Sequence, residues 1–509
     1  MDLATVILFL ILYYLRPQEW SSMFATIHFV QIVMLTALAS LFFREQGFRP
    51  RDIFRTPHDW AVLAFWLWLV LSAVHPWDTF RDNANLYIFY FVIVQVLSTV
   101  PRMKIFAGWW TLLIVVVALL ALASQWGFDP LESMEKTMGP MKGRLILNLS
   151  IFNNPNGLGH SLVPAIPMLY YYFIWKRPIV SRLIGIGLLF IPLYCIFLTV
   201  SKGAFLCAGI TVVATMAFGR PKSVQISIGV AAFIFGSTAL YMLPRMSELN
   251  NSKSDEAIQG RVAAFKHGYA QMQATFRGIG KAEWGKEPFI TAYIPTLLPP
   301  KMGSGPGSEK GRTVLKPIHY SKAPHSSYVC IGAELGKPGM FLFVAVLYCC
   351  LRTTMTAKTQ TPDEERIRRM LFVLVISYIV SSWMVDFEYR PTFFMFTAAI
   401  AALHRHLLGI RAEEDETVKT PELESLPVWH PPQLIPHPAL AAALPDSRLS
   451  RDLLAPEPAS ETGHASAATD ASPPGVAGNW NRLGWFDAGM ILLLTYGVIR
   501  FWAYIMMRM

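Results

Sequence analysis

In "KAPHSSYVCIGAELGKPGMF" (Lys322–Phe341), a histidine followed by two serines stands at the mouth of a long apolar run. A neutral imidazole titrates near physiological pH, so His325 can accept a proton from a hydroxyl nucleophile. Ser326, beside it, is a candidate substrate contact. A helix-capping or interfacial histidine is the plain alternative. The surroundings sharpen the chemical reading. The loop before His325, residues 244–326, carries 12 Lys and Arg against 6 Asp and Glu. A negatively charged partner would use that excess, although a solvated loop surface also accounts for it.

Four further stretches could join this chemistry. "GRVAAFKHGYAQM" (Gly260–Met272) reads as an amphipathic helix with Arg261 and Phe265 on one face. Arginine is the better residue for a forked phosphate contact, so Arg261 ranks above the loop lysines. "FRGIGKAEW" (Phe276–Trp284) supplies Gly278 and Gly280, where backbone amides can approach an anion closely. "TVSKGAFL" (Thr199–Leu206) places Lys202 between two apolar runs, as an anion contact or merely a snorkelling ammonium. "FNNPNGLGH" (Phe152–His160) sets Asn154 and Asn156 around Pro155. Their amides could bind sugar hydroxyls, and turn formation explains them equally. Asp386, Glu388 and Arg390, in "DFEYRP", are placed to frame an acceptor.

The elements that must position these residues are membrane helices. The chain has 509 residues, 53% of them hydrophobic and 15% charged. Apolar runs recur from 3–15 to 485–506, and at about 20 residues per crossing they predict about 12–13 spans. The fold expected is an all-α polytopic membrane protein. Basic residues gather on alternate connections (Arg44 to Arg55, Arg102 and Lys104, Lys176 to Arg182, Arg352 to Arg369). That bias puts those connections in the cytoplasm and the 244–326 loop outside. The formal charge of +10 is thus partly topological, and no nucleic-acid partner is expected.

The domain reading is residues 1–243 as N-terminal membrane helices, 244–326 as the large outer loop and 327–410 as the remaining core helices. Residues 411–481, rich in Pro, Ala and Ser, read as a disordered cytoplasmic linker, and 482–509 as a final helix. The N-terminus lacks a basic n-region and a cleavage site, so it reads as retained. The five cysteines fall within apolar runs without metal-ligand spacing. No metal and no cofactor are expected.

The order of these pieces resembles the O-antigen ligase superfamily, which includes O-antigen polymerases and bacterial protein O-oligosaccharyltransferases. The resemblance covers roughly residues 145–345, and "HSSYVCIGAELGKPG" is its most specific part. "YYLRPQEW" (Tyr13–Trp20) resembles the start of the O-glycosylation ligases associated with exosortase systems. The resemblance implies a GT-C-like architecture in the bacterial inner membrane, with the site facing the periplasm. It implies metal-independent, inverting transfer of a glycan from an undecaprenyl-pyrophosphate carrier to a protein or lipid hydroxyl, with the polyprenyl tail entering from the lipid. In it, His325 matches the family histidine and Arg261 the loop arginine. Lys202 stands where many members carry arginine, which weakens a forked contact but keeps the cation. A repeat-unit polymerase would use the same donor. A lipid-linked glycan transporter is the alternative of a different class.

Overall fold

The structure, a computed structural model, describes residues 2–20, 29–42, 54–242, 256–286, 289–298, 312–320, 323–409 and 483–508. The expected linker at 411–481 lies outside the described residues. The first helices are α1 (Asp2–Leu15), α2 (Pro17–Trp20), α3 (Phe29–Phe42), α4 (Pro57–Ser72), α5 (Pro76–Val96), α6 (Val100–Ser124) and α7 (Ser133–Met138). They are followed by α8 (Pro155–Leu162), α9 (Ala165–Leu169), α10 (Ile179–Leu198), α11 (Lys202–Ala217), α12 (Lys222–Met242) and α13 (Glu256–Ala274). A hairpin of β1 (Phe289–Leu298) and β2 (Arg312–Tyr320) precedes α14 (Ser327–Thr356), α15 (Pro362–Ser381), α16 (Pro391–Leu407) and α17 (Trp485–Arg508).

Among the described residues, α6, α10, α14 and α17 are long and apolar enough to cross a membrane. Large apolar side chains such as Leu183, Phe190 and Leu492 lie exposed along them, which marks a membrane-associated protein. Their burial separates their roles. The apolar window of α14 is 78% buried, whereas those of α10 and α17 are only 22% and 17% buried. So α14 is the central post, against which α4, α13, α15, α16 and α17 pack. Its inner face meets Phe393 and Tyr378 through Phe343. Thr56 with Asp59, and Thr361 with Glu364, form reciprocal capping boxes that start α4 and α15, each with a proline in the first turn.

Several expectations need correction. The fold is not all-α, because within the 244–326 segment β1 and β2 pair antiparallel from Phe289↔Tyr320 to Leu298↔Arg312. Alternating residues such as Phe289, Thr291, Tyr293 and "RTVL" suit an extended chain better than a helix. The apolar run after Pro155 is not one continuous helix but is divided into α8, α9 and a π-helical turn at Tyr170–Ile174. Pro164 and Pro167 remove backbone donors there. Helix α15 ends at Ser381, leaving 382–390 as a turn. The amphipathic helix expected at Gly260–Met272 is present as α13.

Candidate active site

His325 sits immediately before Ser326, the N-cap of α14. Its φ of 50° lies in the left-handed region, a strained backbone for a side-chain-bearing residue. The strain is held in place by the 382–390 turn. Ser327 donates its N–H to the Ser382 carbonyl at 2.7 Å and its hydroxyl to the Val385 carbonyl at 2.9 Å. Phe387 N–H in turn donates to Ser327 Oγ at 2.9 Å. The two serines after the histidine are thus spent on fixing the turn, and both are fully buried. Ser326, expected as a substrate contact, donates its hydroxyl to the Ser382 carbonyl at 3.2 Å instead.

This stitching places Asp386 beside the histidine. Asp386 Oδ1 accepts the Ser326 N–H at 2.6 Å, capping the positive end of α14. Its Oδ2 lies 3.7 Å from His325 Nδ1. That separation is beyond hydrogen-bond length, and at it a carboxylate charge favours the protonated imidazole. Burial pushes the Asp386 carboxyl above the usual carboxylate range, against the pull of the Ser326 and His325 N–H groups and of the Arg261 and Arg390 guanidiniums. Positive charge from α13 and from the N-cap of α16 thus acts on the same carboxyl.

The Arg261 charge also reaches His160 on α8. His160 is fully buried, with Nδ1 2.6 Å from Ser381 Oγ on α15. A Cβ on Gly203 would lie 3.2 Å from His160 Nε2, so the turn that begins α11 packs directly on this ring. Lys202, the neighbour of Gly203, is half-buried at that turn. A cavity of about 20 Å³ lined by His160, Ser377, Ser381 and Thr392 has room for a water and no more. Nothing in the sequence around "GLGHSL" signals His160, because it has no partner at a telling spacing.

The asparagines behave as their turn chemistry dictates. Asn154 caps α8, accepting the Asn156 N–H at 2.8 Å. Asn156 Oδ1 accepts from Ser201 Oγ at 2.8 Å and from Arg144 Nη2 at 3.1 Å. Arg144 also donates through Nε to the Thr199 carbonyl. This bracing holds Val200 at φ 47°, a costly value for a β-branched residue, and so aims the Lys202 turn. Asn156 is thereby a brace for the turn.

Gly278 and Gly280 are likewise used internally. Helix α14 is broken at Gly336, whose φ of 67° and ψ of −165° suit glycine alone. Pro338 falls in the first turn after the break, where its missing N–H costs nothing. The carbonyls orphaned by the break find partners. Ile279 N–H donates to Ala333 and Gly280 N–H to Glu334, both at 2.9 Å, and Trp68 Nε1 donates to Leu335 at 2.9 Å. A Cβ at Gly278 would collide with the Glu334 carbonyl. The Gly-x-Gly turn docks the segment after α13 onto α14 and leaves the Gly280 amide no role with an anion.

No protein-family model matches the chain, and no curated protein matches it either. Among the described residues no group of three or more His, Cys, Asp or Glu side chains is arranged to hold a metal ion.

Glu388 is expected to frame an acceptor. The structure buries it at 4% exposure, and among the described residues its Oε2 has no hydrogen-bond partner. Burial, and then the Asp386 charge, push its carboxyl upward. The arrangement as a whole is a histidine beside a carboxylate on which two arginine charges act. It can deprotonate a hydroxyl and stabilise negative charge that develops on a leaving oxygen.

Proposed function

We propose that the protein transfers a glycan from a polyprenyl pyrophosphate carrier, undecaprenyl pyrophosphate, to an acceptor hydroxyl at the outer face of the bacterial inner membrane. The observation that carries this reading is the His325–Asp386 pair held at the start of α14, with the Arg261 and Arg390 charges acting on the same carboxyl. Attack at the anomeric carbon breaks its bond to the phosphate oxygen, and charge grows on that oxygen. The acceptor proton passes to His325, while Asp386 stabilises the imidazolium that forms. Arg261 lowers the barrier by meeting the departing pyrophosphate with fixed positive charge, and Lys202 adds a second cation from the α11 turn. The exposed apolar faces of α10 and α17 are surfaces along which a lipid tail can lie. A protein acceptor is favoured by the "YYLRPQEW" resemblance.

The break in α14 invites the transporter reading, since transporters carry discontinuous helices around a binding site. Here the outer loop supplies N–H partners for the freed carbonyls, so the break is filled by protein rather than lining a passage. A deletion strain complemented with wild type or His325→Ala tests the proposal. Lipid-linked glycan should accumulate on the outer leaflet in the deletion strain and with His325→Ala. Accumulation confined to the inner leaflet would replace transfer by flipping.

A further inference from the structure

The C-terminal helix α17 lies beyond the stretch that resembles a glycan ligase, and most of its surface is exposed. One stripe is not. Asp487, Ile491, Thr495 and Trp502 are its buried residues, at helical spacing along a single face. At one end of that stripe Asp487 pairs with Arg352 at 3.2 Å and accepts from Tyr348 Oη at 2.8 Å, both on α14. At the other end Trp502, wholly buried, donates its indole N–H to the Phe265 carbonyl on α13 at 3.2 Å.

Phe265 is one helical turn beyond Arg261. The Trp502 ring also stands edge-on to Tyr269, one turn further along α13. Beneath it, a Cβ on Gly332 would lie 2.7 Å from the indole and 3.1 Å from Met272 Sδ, so the glycine in α14 makes room where three helices meet. Phe501, the preceding residue, packs against Trp383 in the turn that carries Asp386.

We infer that α17 is a positioning element of the site, with Trp502 clamping the Arg261-bearing helix to α14. The inference rests on the proposed roles of Arg261 and Asp386 for its functional meaning, but the clamp itself does not. Trp502 is a positioning residue, because it acts through Arg261 and meets no substrate.

Hydrogen–deuterium exchange on the full chain in lipid nanodiscs, with no donor present, tests the clamp. Trp502→Ala should speed exchange of the α13 amides at least about tenfold while α6 stays as in wild type. Trp502→Phe, which keeps an aromatic ring and loses the N–H donor, should speed it about fivefold. Unchanged α13 exchange in Trp502→Ala overturns the inference. If Trp502→Ala loosens every helix together, Trp502→Phe decides, since a uniform or absent response there also overturns it. In the transfer assay, adding Trp502→Ala to Arg261→Lys should cost little more than Arg261→Lys alone, and full additivity would mean that Trp502 does not act through Arg261. If the wild type transfers no glycan yet the exchange pattern holds, the proposed function fails and the clamp stands.

Discussion

Asp386→Asn removes one charge beside His325 and leaves the rest of the turn nearly untouched. The amide oxygen can still accept the Ser326 N–H, so the start of α14 is preserved. The loss is therefore electrostatic. Two unit charges at the 3.7 Å separation of His325 Nδ1 and Asp386 Oδ2 interact by about 1 kcal/mol in water and about 4 kcal/mol at the effective dielectric of a protein surface. The two side chains are 27% and 28% exposed, so solvent screens part of the interaction. About 2–3 kcal/mol of imidazolium stabilisation is then at stake in the transition state, a rate loss of about 30- to 150-fold. The assay is glycan transfer in membranes with matched protein levels, with Asp386→Glu as the charge-retaining control. The dependence on pH has a defined sign. Burial raises the Asp386 carboxyl, so its charge is present above that raised value and is lost as pH falls through it. The ratio of wild type to Asp386→Asn should accordingly shrink toward acid pH. A ratio near one at neutral pH would refute the dyad, and a large ratio independent of pH would show that the carboxylate acts through structure and not charge.

Three further outcomes follow from the same geometry. Arg261→Lys should lose much more transfer than Lys202→Arg, because an ammonium cannot reproduce a forked contact; equal, mild losses would detach both cations from the leaving group. Glu388→Gln should raise thermal stability by about 1–3 kcal/mol at alkaline pH, since the buried carboxylate lacks a partner for Oε2 among the described residues. Its raised carboxyl means that the penalty builds as pH rises from the ordinary carboxylate range to the folded value, so the gain should fade on acidification, and melting curves at several pH values check this. Gly336→Ala should cost at least about 2–3 kcal/mol, because φ 67° with ψ −165° strains any side chain. A melting temperature like that of wild type would mean that the break in α14 relaxes freely.

The sequence by itself determined the apolar helices, the amphipathic helix that carries Arg261, and His325 at the start of α14. Each is a local signal, since hydropathy, 3.6-residue periodicity and a turn before a helix are written in consecutive residues. Partnership across the chain was not legible. Asp386 belongs with His325 only because Ser326 and Ser327 bond to the 382–387 turn, 55 or more residues away. The Gly278–Gly280 pair looked like an anion cradle because its sequence signals exposed amides without saying what they meet. Tertiary structure supplied the answer in the broken carbonyls of α14. Asn156 and Trp502 teach the same lesson, one as a brace and the other as a clamp, for a hydrogen bond between distant segments leaves no periodic trace in either. What residue types can do was readable from the chain. Which of those capacities remains available for chemistry was decided by packing, because most buried polar groups are paired and so are committed to whichever partner the fold brings to them.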